Sequence, residues 1–273
     1  MNGKICLVTG ATDGIGKVTA QALAQAGATV FAVGRNPRKI DAVRAEMGNT
    51  GGSLEFLTAD LSSQAQVRAL ADEVKSRTSQ LHVLVNNAGA LFTSYRESID
   101  GIELTFALNH LAYFLLTHLL LDTIIASAPA RIINVSSSAH QRGVIDFDDL
   151  GNRRHYEGWT AYEQSKLANV LFTYELARRI EGTGVTVNAV HPGFVASNFQ
   201  AAAGLNMRGH LTPEEGADTQ IWLATSPEVE GVTGKYYVQR QDTRSSDSSY
   251  DSALAQRLWD VSAEMVGLAD ASK

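Results

Sequence analysis

The stretch "TAYEQSKLANV" at 160–170 sets a tyrosine and a lysine, Tyr162 and Lys166, four residues apart. On a helix that spacing brings both side chains to one face. A neighbouring ammonium favours phenolate over phenol and so draws the tyrosine pKa down toward neutral pH. A tyrosine tuned in that way can exchange a proton with a carbonyl or alcohol oxygen while a hydride moves at the adjacent carbon. The pair alone is a weak signal, because Tyr-x-x-x-Lys arises readily by chance in 273 residues containing 8 tyrosines. The serines of "NVSSSAH" (134–140) supply a second component, since a hydroxyl there can bond the substrate oxygen and stabilise its developing charge. No G-x-S-x-G elbow supports a serine nucleophile. The 7 histidines are dispersed, with no H-E-x-x-H and no cysteine cluster, so no metal site is expected.

A hydride needs a carrier. "LVTGATDGIG" (7–16) puts Gly10, Gly14 and Gly16 between an apolar run and a helical pattern. Glycines there let the backbone approach a pyrophosphate, whose charge the helix N-terminus holds. The spacing is G-x-x-x-G-x-G, not the more widespread G-x-G-x-x-G. A dinucleotide with free ribose hydroxyls calls for a carboxylate at the end of the second strand. That end reads "VGRN" (33–36) and holds no acid; Arg35 instead suits a 2′-phosphate, with Arg38 and Lys17 as helpers. NADP(H) is therefore expected over NAD(H). Asp60 in "TADLSS" is a candidate for the adenine amino group, or alternatively a helix-capping acid.

The elements that must position these groups alternate regularly. Runs at 4–10, 28–35, 53–60, 81–89, 131–138, 184–193 and 234–239 are near-continuously apolar, the pattern of parallel strands buried on both faces. Helix ends are marked by Asn36-Pro37 with Gly48 as a stop, by Ser63 with Gln66, and by Thr212-Pro213-Glu214-Glu215. Such alternation predicts an α/β fold: one Rossmann-like domain over 1–273, a doubly wound parallel seven-stranded sheet with helices on both faces. A net charge of −6 and an isoelectric point near 5.6 argue against nucleic acid or an anionic membrane as partner. The single cysteine, Cys6, excludes an intrachain disulfide, and a strand pattern beginning within the first ten residues leaves no room for a signal peptide. The apolar stretch 104–128 is interrupted by Asn109, His110, His118 and Asp122 and reads as a core helix, not a membrane anchor. The expectation is a cytoplasmic chain.

Taken together, "TGATDGIG", "NNAG" (86–89), Asn109 in "FALNHLAYF", "INVSS", "YEQSK" and "HPG" (191–193) resemble, in order and spacing, the short-chain dehydrogenase/reductase family over residues 4 to 240. The resemblance implies an Asn–Ser–Tyr–Lys tetrad of Asn109, Ser137, Tyr162 and Lys166, with Ser136 and Ser138 as alternative readings of the serine. Asn109 would bind a water relaying protons to Lys166; its plainer role is an amide bonded to backbone at a helix irregularity, and in the family the two roles coexist. By the same likeness the cofactor would contact Gly10, Thr12, Asp13, Gly14, Ile15, Gly16, Arg35, Asp60, Leu61, Asn87, Ala88, Gly89, Tyr162, Lys166, Pro192, Gly193, Val195 and Ser197. Two departures stand out. Ser197 replaces the family's usual threonine, and Asp13 stands where many NADP-preferring members carry a basic residue.

Ser137 and Tyr162 are 25 positions apart, about twice the usual family spacing. That gap, with "SKLANVLFTYELARR" and the ending "LWDVSAEMVGL", resembles the retinol-dehydrogenase-like branch, which includes the WW-domain oxidoreductases. The insertion 139–160 and the apolar, small-residue-rich stretch 194–211 are expected to wall the substrate side, the latter as a lid. An apolar carbonyl or alcohol substrate follows, with retinoid specificity not implied. The resemblance also implies a homodimer through the helices holding Asn109 and Tyr162, unless the insertion shields that face. The competing class is a catalytically silent NADP(H)-binding sensor or scaffold, which the retained tetrad disfavours.

Overall fold

A computed structural model of the chain describes residues 1–46, 52–196 and 209–268. All seven expected strands form: β1 (Ile5–Thr9), β2 (Thr29–Gly34), β3 (Ser53–Thr58), β4 (Val83–Asn86), β5 (Ala130–Val135), β6 (Val185–His191) and β7 (Tyr236–Val238). They pair in parallel in the order β3-β2-β1-β4-β5-β6-β7. The chain order reverses between β1 and β4, and ligands of open α/β sheets bind at such a switch point.

The sheet has eight strands, not seven. The last, β8 (Gln241–Asp242), pairs antiparallel with β7. Its two residues are exposed and polar, so no apolar pattern betrays them. The turn before it hides as well. Gln239 and Arg240 both take positive φ, at 48° and 61°, as a tight primed hairpin turn requires, without the Asn-Gly chemistry that usually signals one.

Helices cover both faces. On one side α1 (Gly14–Gln25) and α6 (Pro213–Thr225) pack over Cys6, Val8, Val30 and Ala32. On the other, α3 (Gln64–Arg77), α4 (Leu104–Ala126), α5 (Gly158–Arg179) and α7 (Ser252–Met265) bury Leu7, Phe31 and Val33. Alternate residues of one strand thus feed two cores, the period-two rule for a sheet wet on neither side. Helix α2 (Pro37–Glu46) follows β2, and Asn36 caps it by accepting from the N–H groups of Arg38 and Lys39. The expected stop at Gly48 lies outside the described residues. Thr212 and Glu215 close a full capping box. Ser63 caps α3, but Gln66 reaches the Asp60 N–H instead of closing the box.

Helix α4 is long and apolar enough to cross a membrane, yet 72% of its most apolar portion is buried inside the fold. It is the expected core helix. Under it runs a buried polar ladder. Asn86 and Asn134 are register partners on β4 and β5. Asn86 Nδ2 donates to Thr117 Oγ1 (3.0 Å) and Asn134 Oδ1 (2.9 Å), and Asn134 Nδ2 donates to Thr173 Oγ1 (2.9 Å). Every link is out of water, where an unmet donor costs its full desolvation. Asn134→Ala strands the Asn86 and Thr173 partners at once and is expected to cost about 2 kcal/mol or more. For a chain of this size that lowers the melting temperature by roughly 4–8 °C in a calorimetric scan, and an unchanged Tm would refute the ladder's role.

Candidate active site

A cleft of about 900 Å³ opens along the carboxyl ends of β1, β2, β4, β5 and β6. Its nucleotide end is built by the turn after β1. Gly10 holds φ +66°, a left-handed conformation that a side chain resists. Gly16 is required for another reason: a Cβ there would stand 2.3 Å from both the Gly10 carbonyl oxygen and Asn87 Nδ2. Thr12, Asp13, Gly14 and Ile15 complete the turn and line the cleft. Asp13 caps α1, accepting the Gly14 N–H at 2.8 Å, and its other oxygen pairs with Lys39.

That ion pair changes how the acid at position 13 reads, because Lys39 offsets its charge. Arg35 and Lys39 both line the cleft, and among the described residues Arg35 has no ion-pair partner. No motif marks Lys39 in the sequence; its place one turn past the α2 cap is the signal that points to it. The expected helpers are not in the lining. Lys17 pairs with Glu46, and Arg38 lies outside the cleft wall. Asp60 lines the cleft with Leu61 but caps no helix; its Oδ1 accepts from Ser62 N (3.0 Å) and Oγ (2.7 Å). Asn87, Ala88 and Gly89 form the floor. Thr9 Oγ1 accepts the N–H of Asn87 (2.8 Å) and of Ala88 (3.0 Å), fixing that floor to the end of β1. Pro192, Gly193 and Val195 line the far end, whereas Ser197 and most of 194–211 lie outside the described residues.

Ser137, Tyr162 and Lys166 line the cleft where β5 meets the helix that follows it. Tyr162 and Lys166, 8% and 3% exposed, share one face of α5 as their spacing predicts. Lys166 Nζ donates to the Val135 carbonyl (3.1 Å) and lies 5.5 Å from the centre of the Tyr162 ring. Ser137 hydrogen-bonds the Tyr162 side chain. Ser136 is buried with its hydroxyl given to the Lys166 carbonyl, and Ser138 opens the short 3-10 turn Ser138–Arg142 that Ser137 caps. Of the three serines, Ser137 is therefore the one joined to the phenol.

The direction of the Tyr162 shift corrects the sequence expectation. Burial pushes the phenol up to about 12, with the Ser137 hydrogen bond pulling the other way. Burial also brings the Lys166 ammonium down to about 7. Desolvation governs both shifts because both charged forms have lost water, and among the described residues the Lys166 ammonium donates to one main-chain oxygen. At neutral pH the resting tyrosine is a phenol.

Asn109 does not line the cleft. It lies mid-way in a π-helical turn of α4, Ala107–Leu111. Its Oδ1 accepts from Ala90 N (2.9 Å), and its Nδ2 donates to Ala90 O (2.9 Å) and Ser165 Oγ (3.0 Å). The amide anchors the loop after Gly89 at a helix irregularity, as its plainer expected role requires. The surroundings of the Tyr162 ring are apolar: Leu91, Ala139 and Trp159 pack around it, with the indole edge-on at 5.9 Å. Tyr156 tethers the insertion through its hydroxyl, which donates to Phe92 O (2.8 Å) and lies 3.1 Å from the buried Glu103 carboxylate; that carboxylate also caps α4 at Thr105 and Phe106.

A glycine turn, a switch-point cleft and a Ser–Tyr–Lys cluster define a class, and the comparisons with known proteins agree. The family profile for short chain dehydrogenases matches residues 4–207, and the chain belongs to that family. Within it the chain falls in the retinol-dehydrogenase-like branch. Retinol dehydrogenase 14 of Homo sapiens is 42% identical over 294 residues, spanning 98% of this chain and 88% of that protein. The crystal structure of an uncharacterised protein from Mycobacterium paratuberculosis is similar at a TM-score of 0.82 and 34% identity, covering 97% of this chain and 94% of that one. A short chain dehydrogenase from Shigella flexneri, solved in complex with NADP, matches at a TM-score of 0.71 and 26% identity, over 88% of this chain and 98% of that one.

The crowding at Gly16 yields a direct test. Gly16→Ala drives a methyl into the Gly10 carbonyl, so the turn must open, at an expected cost of about 1–3 kcal/mol. A variant that melts with the parent would show that the turn has slack.

Proposed function

We propose that the chain is an NADP(H)-dependent oxidoreductase that moves a hydride between nicotinamide and an apolar carbonyl or alcohol substrate, with Tyr162 as acid and base. The observation that carries this is the Ser137–Tyr162–Lys166 cluster on the wall facing a glycine turn. The residues fit the cofactor. A cradle at Gly10 and Gly16 admits only backbone, the α1 N-terminus faces it, and Arg35 with Lys39 offers two cations where a 2′-phosphate would lie. When bound, the cofactor supplies or accepts the hydride.

The chain's own groups do the rest. Ser137 donates its hydroxyl hydrogen to the substrate oxygen and steadies the negative charge gathering there. Tyr162, a phenol at rest, gives its proton to that oxygen, since an alkoxide is a far stronger base than phenolate. Lys166, when charged, stabilises the phenolate left behind. The apolar wall of Leu91, Ala139 and Trp159 excludes water and favours an apolar or aromatic body next to the carbonyl. The likeness to a retinol dehydrogenase supports an apolar alcohol or aldehyde as the substrate class.

A panel of aldehydes and ketones, followed through NADPH absorbance, tests the reading. Tyr162→Phe is expected to lose about 10²–10⁴ in kcat while NADPH binding persists; an unchanged rate would sink the assignment. The pH dependence has a definite sign. Tyr162 holds its proton up to about 12, so what rising pH removes first is the Lys166 charge, near 7. Carbonyl reduction is expected to slow from pH 6 to 9 as the charge that stabilises the phenolate left behind is lost; reduction that accelerates with pH would contradict the roles given to both residues. Arg35→Asp should swing the preference toward NADH by about tenfold or more, the scale of one charge-assisted contact exchanged for a repulsion. Equal NADPH use in that variant overturns the cofactor assignment.

A further inference from the structure

The mechanism uses the Ser137 hydroxyl but leaves unexplained what aims it. Directly behind it lies His140, fully buried. Its Nδ1 is 2.6 Å from the Ser137 carbonyl oxygen, and its own N–H reaches the same oxygen at 3.2 Å. Its Nε2 faces the other way and accepts the Ser246 N–H at 3.1 Å. These bonds leave one choice of tautomer. A ring nitrogen that accepts from an N–H carries no hydrogen, so Nδ1 must hold the proton and donate to Ser137. Burial lowers the pKa of the ring and keeps it neutral, as this arrangement demands. The ring packs on Tyr236, centroids 4.6 Å apart, and the His191 imidazole is the other titratable group near it.

Ser246 belongs to the polar segment 241–251, which no step of the reaction has used. That segment is a built element. Ser245 Oγ bonds Tyr174 Oη (2.7 Å) and Ser249 Oγ (2.6 Å), and its N–H bonds Tyr250 Oη (3.2 Å). Ser249 N–H and Oγ both return to the Ser246 carbonyl. Tyr174 lies on α5, the helix that carries Tyr162 and Lys166.

We propose that His140 is a positioning residue for Ser137, and that the serine-rich turn 245–250, beyond the family-matched residues 4–207, is its backstop. The imidazole fixes the Ser137 peptide plane at its extended φ −160°, ψ 158°, and so points Oγ at the Tyr162 hydroxyl. The inference rests on the oxidoreductase reading for its kinetic consequence and on geometry alone for the tautomer.

Ser246→Pro isolates the link. Ser246 has φ −60°, which the proline ring matches, so the change removes the donated N–H with little backbone cost. Ser246→Ala keeps the N–H and removes only the hydroxyl. At saturating NADPH, the proline variant is expected to lose about tenfold in kcat, the scale of a misaligned oxygen-binding donor, with the NADPH dissociation constant unchanged and the alanine variant within about twofold of the parent. His140→Phe should lose about 10–100-fold in kcat, and His140→Asn, whose amide can still donate to the Ser137 carbonyl, should recover most of it. Equal loss in the asparagine and phenylalanine variants, full activity in the proline variant, or NADPH affinity falling in step with kcat would each overturn the positioning role. Nitrogen NMR of the imidazoles gives a readout free of turnover: His140, assigned by its loss in His140→Asn, should show a protonated Nδ1 and a bare Nε2. A protonated Nε2 refutes the link even if the enzyme is active. A parent protein that reduces no carbonyl while showing the expected tautomer refutes the oxidoreductase reading instead.

Discussion

Lys166 is an ammonium largely stripped of water at the cleft wall, with the Val135 carbonyl as its direct hydrogen-bond acceptor. Much of the surrounding architecture can be understood from that constraint. The lysine stays close to losing its charge, so the neighbouring phenolate becomes its strongest available partner. Val135 ends β5 and Asn169 Nδ2 also donates to its carbonyl, which ties the strand end to the middle of α5. Ser136 accepts the same task from the other direction by bonding the Lys166 carbonyl. Strand end and helix face are thereby locked in one register, and Ser137 follows next in the chain.

The same economy governs the far side of the lysine. Gly89 separates Lys166 from Asn109, and a Cβ added there would lie 3.5 Å from the ammonium nitrogen and 3.2 Å from Asn109 Oδ1. The π turn in α4 lets Asn109 reach back to the Ala90 backbone, so the loop roofing the lysine is held by a helix that carries a large part of the core. Irregular helix geometry of this kind recurs at functional sites because it redirects one side chain without ending the helix.

Much of this was legible in the residues themselves. Apolar strands such as Ile5–Thr9 and Val185–His191 announce a sheet buried on both faces, and the Tyr162–Lys166 spacing predicts their shared face. Ser137 could be separated from Ser136 and Ser138 only by the family likeness, because three adjacent hydroxyls carry no period. The direction of the Tyr162 shift is not legible in spacing, which reveals a neighbour's charge but not the loss of water around both groups. Lys39 and β8 escaped for a shared reason. Each depends on where a turn or a cap sends the chain, at Asn36 in one case and at Gln239 and Arg240 in the other, and not on any pattern of apolar residues.

The insertion before Tyr162 is pinned at both ends. Tyr156 is fastened to Glu103 and Phe92, while Gln164 donates to Leu150 O (2.8 Å) and accepts from Asp146 N (3.1 Å). Between those anchors, Arg153, Arg154 and His155 are exposed. A segment fastened in this manner behaves as a cassette. Its exposed stretch can be exchanged or lengthened by drift or by an engineer while Tyr162 and Lys166 stay in place on α5.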